Sequence, residues 1–130
     1  MKYCYRVERK SERILEVSRL EDGAIVWVGR YTSERTIAGA GLVGEDGLEN
    51  VCVRVEEALP GRSVRLGVVK FSEEGKLLGS LFFSDGDCHY SVWTSRLLNV
   101  GRDGSIYQVI PEKSSSRSAY GPSIDSLLSA

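Results

Sequence analysis

Two stretches of this sequence, LVGEDGLENVCV at residues 42–53 and NVGRDGSIYQVI at residues 99–110, contain Val-Gly-x-Asp-Gly followed by an alternating apolar run. Asp-Gly between apolar runs is a strong hairpin signal, because glycine adopts positive φ without a steric penalty. Aligning the two stretches pairs Gly47 with Gly104, a period of 57 residues, and then requires a gap of two residues. The alignment predicts a structural repeat built on β-hairpins.

Two more turns of this kind occur at residues 21–23 and 73–75, so four such turns follow one another at intervals of 24, 28 and 29 residues. The four predicted turn glycines are Gly23, Gly47, Gly75 and Gly104. The segments between them are rich in Val, Ile, Tyr, Phe and Trp, and they alternate as β-strands do. Four hairpins predict an all-β fold of about eight antiparallel strands.

The strand predicted after Gly23 has apolar residues at both alternating positions, with Trp27 and Tyr31 on one face and Val26 and Val28 on the other. Such a strand is typical of a sheet that other layers cover on both sides. We therefore predict that this strand lies inside a layered structure.

The N-terminal region allows two interpretations. The i, i+4 spacing of glutamates over residues 8–16 fits a charged helix, but no apolar stripe accompanies it. We therefore predict a hairpin around residues 9–12, with the helix as the alternative.

The segments VRLGVVKFSEEGKLLGSLFFSDG at residues 64–86 and RLLNVGRDGSIYQVIP at residues 96–111 together resemble a blade of bacterial β-propellers of the NHL or six-bladed type. In such blades, a strand, an Asp/Glu-Gly-Lys-Leu-Leu turn, an outer strand and a connection precede an inner strand ending in Asp-Gly-Ser-Ile-Tyr. The resemblance covers residues 41–111. It implies roughly two blade-like repeats, since a four-stranded blade takes about 40–50 residues. A β-sandwich or a curved sheet is the alternative fold.

The resemblance implies a non-catalytic scaffold or binding module that forms part of a larger or oligomeric propeller, since closed rings need about four to eight blades. The expected partner is a protein, a glycan or further copies of the chain. The alternative function is a fragment of a propeller-based hydrolase or lyase that acts on glycans or the cell wall. Its site would contain the carboxylate of Glu56, Asp85 or Asp87. The pairs Glu56–Glu57 and Asp85–Asp87 are the candidates for paired acid–base carboxylates.

The composition excludes several classes of protein. The chain has 130 residues, 42% of them hydrophobic and 27% charged, with a net charge of −1, which is typical of a soluble globular domain. The interleaved charges argue against a nucleic-acid surface, and no apolar run approaches the roughly 18 residues of a membrane span. We predict a β domain over residues 1–113 and a Ser-rich flexible tail over residues 114–130.

The N-terminal segment lacks the features of a secretory signal. A native N-terminus therefore predicts a cytoplasmic protein, whereas a fragment would belong to an extracellular or envelope protein. Three widely spaced cysteines, Cys4, Cys52 and Cys88, predict free thiols rather than a disulfide framework.

The predicted connection over residues 84–96 contains the chemistry-bearing side chains. The candidate binding residues are Asp85, Asp87, His89, Tyr90 and Trp93. Aromatic rings on loops provide contact area at low entropic cost. The spacing of the acidic residues and the histidine matches neither a zinc nor a calcium pattern, so we predict no metal and no cofactor. The alternative is that these are ordinary turn residues and that the rings fill space between sheets.

Overall fold

The computed structural model of the chain describes residues 3–83, 98–111 and 116–119. The described residues form ten β-strands and one short 3-10 helix, Pro60–Arg62, and they include no helix long and apolar enough to cross a membrane. The strands are β1 Cys4–Ser11, β2 Ile14–Glu21, β3 Ala24–Thr32, β4 Ile37–Glu45, β5 Val51–Ala58, β6 Val64–Phe71, β7 Leu77–Phe82, β8 Leu98–Val100, β9 Ile106–Pro111 and β10 Ser116–Ala119. The prediction of an all-β fold with antiparallel strands is confirmed.

The strands form three antiparallel meanders in chain order. The first sheet has the order β1-β2-β3, the second β4-β5-β6-β7 and the third β8-β9-β10. Val7 of β1 lies opposite Val17 of β2, so the N-terminal region is a hairpin and the alternative of a charged helix is wrong. The last strand, β10, pairs with β9 and lies in the segment predicted as a tail.

The second sheet is buried on both faces. On one face of β5, Val53 packs in a cluster with Leu15 of the first sheet. On the other face, Cys52 packs in a cluster with Leu98 and Ile106 of the third sheet. Alternate side chains of β5 therefore enter two different cores, which explains its continuous apolar run.

The strand predicted to be covered on both faces is open on one side. Val26 and Val28 of β3 are 48% and 49% exposed. The prediction for this strand is wrong because β3 belongs to an outer sheet. The pattern of apolar residues along a strand indicates which faces are apolar, but it does not indicate which face a neighbouring sheet covers.

The first strands of the three sheets lie beside one another, β1 next to β4 and β4 next to β8. The ends of β4 and β8 meet, because the N–H of Gly47 donates to the carbonyl of Arg102 at 2.7 Å. In contrast, β1 runs opposite to β4, because the N–H of Ile37 at the start of β4 donates to the carbonyl of Glu12 just after β1. Thus β1 is antiparallel to the strand beside it in the second sheet.

Three hairpin turns, at residues 46–50, 72–76 and 101–105, share one hydrogen-bond pattern. In each turn the N–H of the first residue donates to the carbonyl of the fifth, and the N–H of the fourth donates to the carbonyl of the first. The fourth residue has positive φ, 66° at Glu49, 88° at Gly75 and 90° at Gly104. The β2–β3 turn is shorter, and there Gly23 has φ 79°.

Gly47, the remaining predicted turn glycine, does not have positive φ. Glu49 occupies the position that Gly104 occupies in the later turn, so the sequence alignment of Gly47 with Gly104 is wrong by two residues. The structural period is 55 residues rather than 57. The two-residue gap in the alignment marks this offset.

Gly47 is required for a close approach between two turns. A Cβ at this position would lie 2.7 Å from the carbonyl oxygen of Arg102, which is backbone and cannot move aside freely. We expect Gly47→Ala to lower the free energy of unfolding by about 1–3 kcal/mol, measured by chemical denaturation. Gly79→Ala is the matched control, because a Cβ there has nothing within 4 Å. Equal losses in the two variants would contradict a role for the contact between the turns.

Candidate functional site

The five candidate binding residues lie outside the described residues. Asp85, Asp87, His89, Tyr90 and Trp93 all fall within residues 84–97, so their role stays a prediction. Among the residues that the structure does describe, no group of three or more His, Cys, Asp or Glu side chains could hold a metal ion.

Trp27, an aromatic residue of the described part, is a packing residue. Its indole N–H donates to the carbonyl of Glu73 at 2.9 Å. Its ring lies 6.0 Å from that of Tyr5 and 6.4 Å from that of Phe71, measured between centroids. Trp27 therefore joins the first sheet to the turn between β6 and β7, and its ring does not form a binding surface.

A buried carboxylate, Glu57, connects the end of β3 to the second sheet. Its side chain is 1% exposed and accepts hydrogen bonds from the Tyr31 hydroxyl at 2.8 Å, from the Ser33 hydroxyl and from Nε of Arg65 at 2.8 Å. Burial raises the pKa of Glu57, but these hydrogen bonds and the Arg65 charge outweigh it and hold the pKa below its usual value. Glu57 is therefore a permanently ionised structural group at neutral pH.

A second buried ion pair fixes the turn at residues 46–50. Nζ of Lys70 lies 3.1 Å from Oδ2 of Asp46, and the two side chains are 4% and 3% exposed. Oδ1 of Asp46 also accepts the backbone N–H groups of Leu48 at 2.8 Å and Asn50 at 3.0 Å. Burial raises the pKa of Asp46, but the donors around it outweigh this effect and lower the pKa. The aspartate stabilises the turn as an ionised acceptor.

Two catalytic hypotheses do not match the geometry. Glu56 and Glu57 are neighbours on β5, so their side chains point to opposite faces, and Glu56 pairs with Arg54 at 2.8 Å. Two carboxylates on opposite faces of a sheet cannot flank one substrate. Burial raises the pKa of the Cys52 thiol to about 12, so this thiol is neutral at pH 7 and is not an activated nucleophile.

Exposed apolar side chains lie on the outermost strands of the first and second sheets. On β3, Ile25 and Val26 are 52% and 48% exposed, and on β7, Leu77 and Leu78 are 39% and 47% exposed. We name these four residues the rim patch. Cα atoms of β3 and β7 approach within 8 Å, so the two pairs belong to neighbouring strands of one surface.

The first sheet also has one uncovered face. Trp27 and Tyr31 pack toward the second sheet, whereas Val28 and Arg30 of β3 point away from it. Val28 lies opposite Ser18 of β2, and Ser18 lies opposite Arg6 of β1. We name the surface formed by Arg6, Val28 and Arg30 the open face; Ser18 has the same orientation but is only 4% exposed. The arginines on it are ion-paired, Arg6 with Glu8 at 3.3 Å and Arg30 with Glu16 at 2.5 Å.

No protein-family model, no curated protein and no solved structure matches this chain.

Sequence reasoning missed the rim patch, although a signal was present. Gly23-Ala-Ile-Val and Gly75-Lys-Leu-Leu place an apolar pair at the same distance after a turn glycine, with a period of 52 residues. Apolar pairs in predicted strands were expected to enter a core. Only the position of β3 and β7 at the sheet edges reveals that these pairs are exposed.

Proposed function

We propose that the protein is a non-catalytic β-propeller-like scaffold that binds a partner, and that further copies of the chain complete its ring of sheets. The observation that carries the proposal is the stacking of three successive antiparallel meanders through two cores on opposite faces of the second sheet. Propeller blades are four-stranded meanders repeated around an axis. The second sheet is a four-stranded meander, and the first and third sheets are three-stranded meanders.

The contacts between sheets support this proposal. The turns at residues 46–50 and 101–105 follow the first strands of successive sheets and are in direct hydrogen-bond contact. The hairpin that ends the first sheet contacts the turn at residues 72–76, because Arg19 and Trp27 both donate to the carbonyl of Glu73. Equivalent turns of neighbouring sheets thus lie side by side, as repeated blades require.

The electrostatics of the described residues support a scaffold role. Glu57 and Asp46 are buried, fully engaged by donors and held ionised. A general acid or base works best when its pKa lies near the operating pH. These two carboxylates are instead suited to fixing strands and turns.

The oligomeric state of the chain tests the proposal. Two copies would supply six sheets, within the range of about four to eight in closed propellers. We expect light scattering after size-exclusion chromatography to give twice the mass of the 14.3 kDa chain. Val28→Glu on the open face should reduce this mass to that of one chain, because removing a charged carboxylate from water at the interface carries a desolvation cost that an ion pair repays only with favourable geometry. Leu48→Glu is the control, because Leu48 is 76% exposed in a turn.

A folded single chain at all concentrations would contradict the proposed ring. So would an equal loss of mass in Val28→Glu and Leu48→Glu, because the open face would then have no special role. The absence of catalysis needs its own test. Hydrolysis of a glycan or ester substrate that Asp87→Asn abolishes would overturn the non-catalytic part of the proposal.

A further inference from the structure

The rim patch repeats along the chain with the same local structure each time. Ile25 and Val26 follow Gly23, and Leu77 and Leu78 follow Gly75, in each case after one intervening residue. In both β3 and β7, the pairing with the neighbouring strand has a register shift at the second residue of the apolar pair. Ile25 pairs with Leu20 and Trp27 with Arg19, so Val26 is an extra residue. Leu77 and Gly79 likewise pair with consecutive residues of β6, so Leu78 is an extra residue.

These bulges argue against a partner that binds as an added β-strand. An added strand needs a straight edge with regularly spaced backbone groups. A bulge bends the edge and interrupts this spacing, and it is a common device that protects edge strands from pairing. A partner of the rim patch must therefore bind through contacts with the exposed side chains.

The spacing of the two apolar pairs suits an α-helix. Cα atoms of β3 and β7 approach within 8 Å. Along a helix, residues i and i+4 are separated by about 6 Å and residues i and i+7 by about 10.5 Å. A helix that crosses β3 and β7 can therefore place one apolar residue against each pair.

The charges beside the rim patch specify the chemistry of this helix. The turn before β3 contributes Glu21 and Asp22, and the turn before β7 contributes Glu73 and Glu74, all of them exposed. Glu21 is paired with Arg19 at 2.9 Å. Even with this pair and Lys76 included, negative charge is in excess beside the patch. A complementary helix carries lysine or arginine on the flank that faces the turns.

We propose that the rim patch binds an amphipathic helix of another protein, with apolar residues at i, i+3 or i+4 and i+7 and with basic residues along the flank facing the two acidic turns. This inference names the partner of the proposed scaffold and therefore rests on that proposed function. Residues 3–83, 98–111 and 116–119 contain no α-helix that could occupy the patch.

A synthetic peptide tests this inference. The probe is a fluorescently labelled 18-residue helix with leucine at i, i+3 and i+7 and lysine on one flank. Its affinity for the full chain is measured by fluorescence anisotropy. We expect Val26→Glu and Leu78→Glu each to weaken binding at least about ten-fold, since single central apolar contacts dominate such interfaces. Leu48→Glu is the control and should bind as the unmodified chain does.

Two control peptides separate shape from charge. A peptide with glutamate in place of the lysines should bind at least about ten-fold more weakly, and one with the leucines distributed around the helix should not bind. Equal binding of all three peptides would overturn the inference, as would an absence of binding by the lysine peptide. Tight binding only after removal of residues 120–130 would also overturn it, because the tail would then be the occupant.

The test distinguishes failure of this inference from failure of the proposed ring. The Val28→Glu chain keeps the rim patch but has a charge on the open face, so it should bind the lysine peptide unchanged. A chain that assembles but does not bind the peptide would overturn only the helix-binding inference. Dissociation of the assembly by Val26→Glu or Leu78→Glu would also overturn it, because a second copy would then cover the patch.

Discussion

Lys70→Met is expected to lower the free energy of unfolding by about 3–5 kcal/mol at neutral pH, because it leaves a buried carboxylate without its charge partner. Methionine preserves most of the apolar stem, so the effect isolates the ammonium group. Asp46 keeps its backbone hydrogen bonds in this variant, but the Lys70 side chain that faces it is 4% exposed and no water replaces the lost charge freely. Urea denaturation followed by far-UV circular dichroism gives the free energy.

The pH dependence identifies the cause of this loss. The folded-state pKa of Asp46 is lowered, so the group contributes stability above its unfolded pKa of about 3.9 and loses it as pH falls through the folded value. In Lys70→Met the carboxyl loses this support. The difference between variant and parent should therefore be largest at pH 7 and shrink as pH falls below about 4.

Two variants control the Lys70 experiment. Lys76→Met removes an exposed lysine and should change stability by no more than about 0.5 kcal/mol. Adding Asp46→Asn to Lys70→Met should recover about half of the loss, because no buried charge then remains unpaired. A double variant that is as unstable as the sum of both single variants would contradict the ion-pair explanation.

The fold was predictable from the sequence where the signal was local. The alternation of apolar and polar residues identified the strands. The turns between paired strands contain a glycine with positive φ at Gly23, Gly75 and Gly104. The sequence could not indicate that Gly47 serves a contact with Arg102, because that contact joins residues from different sheets. It also could not indicate which apolar face is covered, because layering is a property of the whole chain.

The buried polar clusters were less predictable than the strands. Glu57 follows Glu56 in an alternating strand and has the same local environment in sequence as a solvated residue. Its burial depends on contacts with Tyr31 of β3 and with Ser33 in the connection between β3 and β4. The hydrogen-bond donors of the carboxylate come from segments that are distant in sequence, so no local sequence pattern predicts the cluster. The same reason explains why the rim patch required the sheet order.

Glu57→Ala is expected to lower the free energy of unfolding by about 3–5 kcal/mol. This loss should come mainly from two buried hydroxyl groups that no longer have a hydrogen-bond acceptor. Tyr31 is 9% and Ser33 is 3% exposed, and each donates to Oε2 of Glu57. Arg65 is 39% exposed, so water replaces its contact more easily. Glu34→Ala removes an exposed glutamate beside Ser33, is the control and should change the free energy of unfolding by about 0.5 kcal/mol or less.

A double-mutant cycle and an alkaline titration decide whether the hydroxyls carry the effect. Tyr31→Phe should destabilise the parent but have little effect in the Glu57→Ala background, giving a coupling energy of at least about 1 kcal/mol. Burial and the hydrogen bond to Glu57 raise the pKa of Tyr31 to about 12. The contribution of Tyr31 to the free energy of unfolding is therefore fully present below its unfolded pKa of about 10. It is lost as pH rises through about 12.

Tyrosinate absorbance reports this titration directly, with Tyr31→Phe as the reference for the difference spectrum. Removing Glu57 removes both a hydrogen-bond acceptor and a repelling negative charge. The titration midpoint of Tyr31 should therefore move to lower pH, while burial keeps it above the unfolded value. An unchanged midpoint would mean that burial alone sets the pKa. The hydrogen bond across the two sheets would then contribute nothing to the position of β3, and the loss in Glu57→Ala would have to come from the cavity.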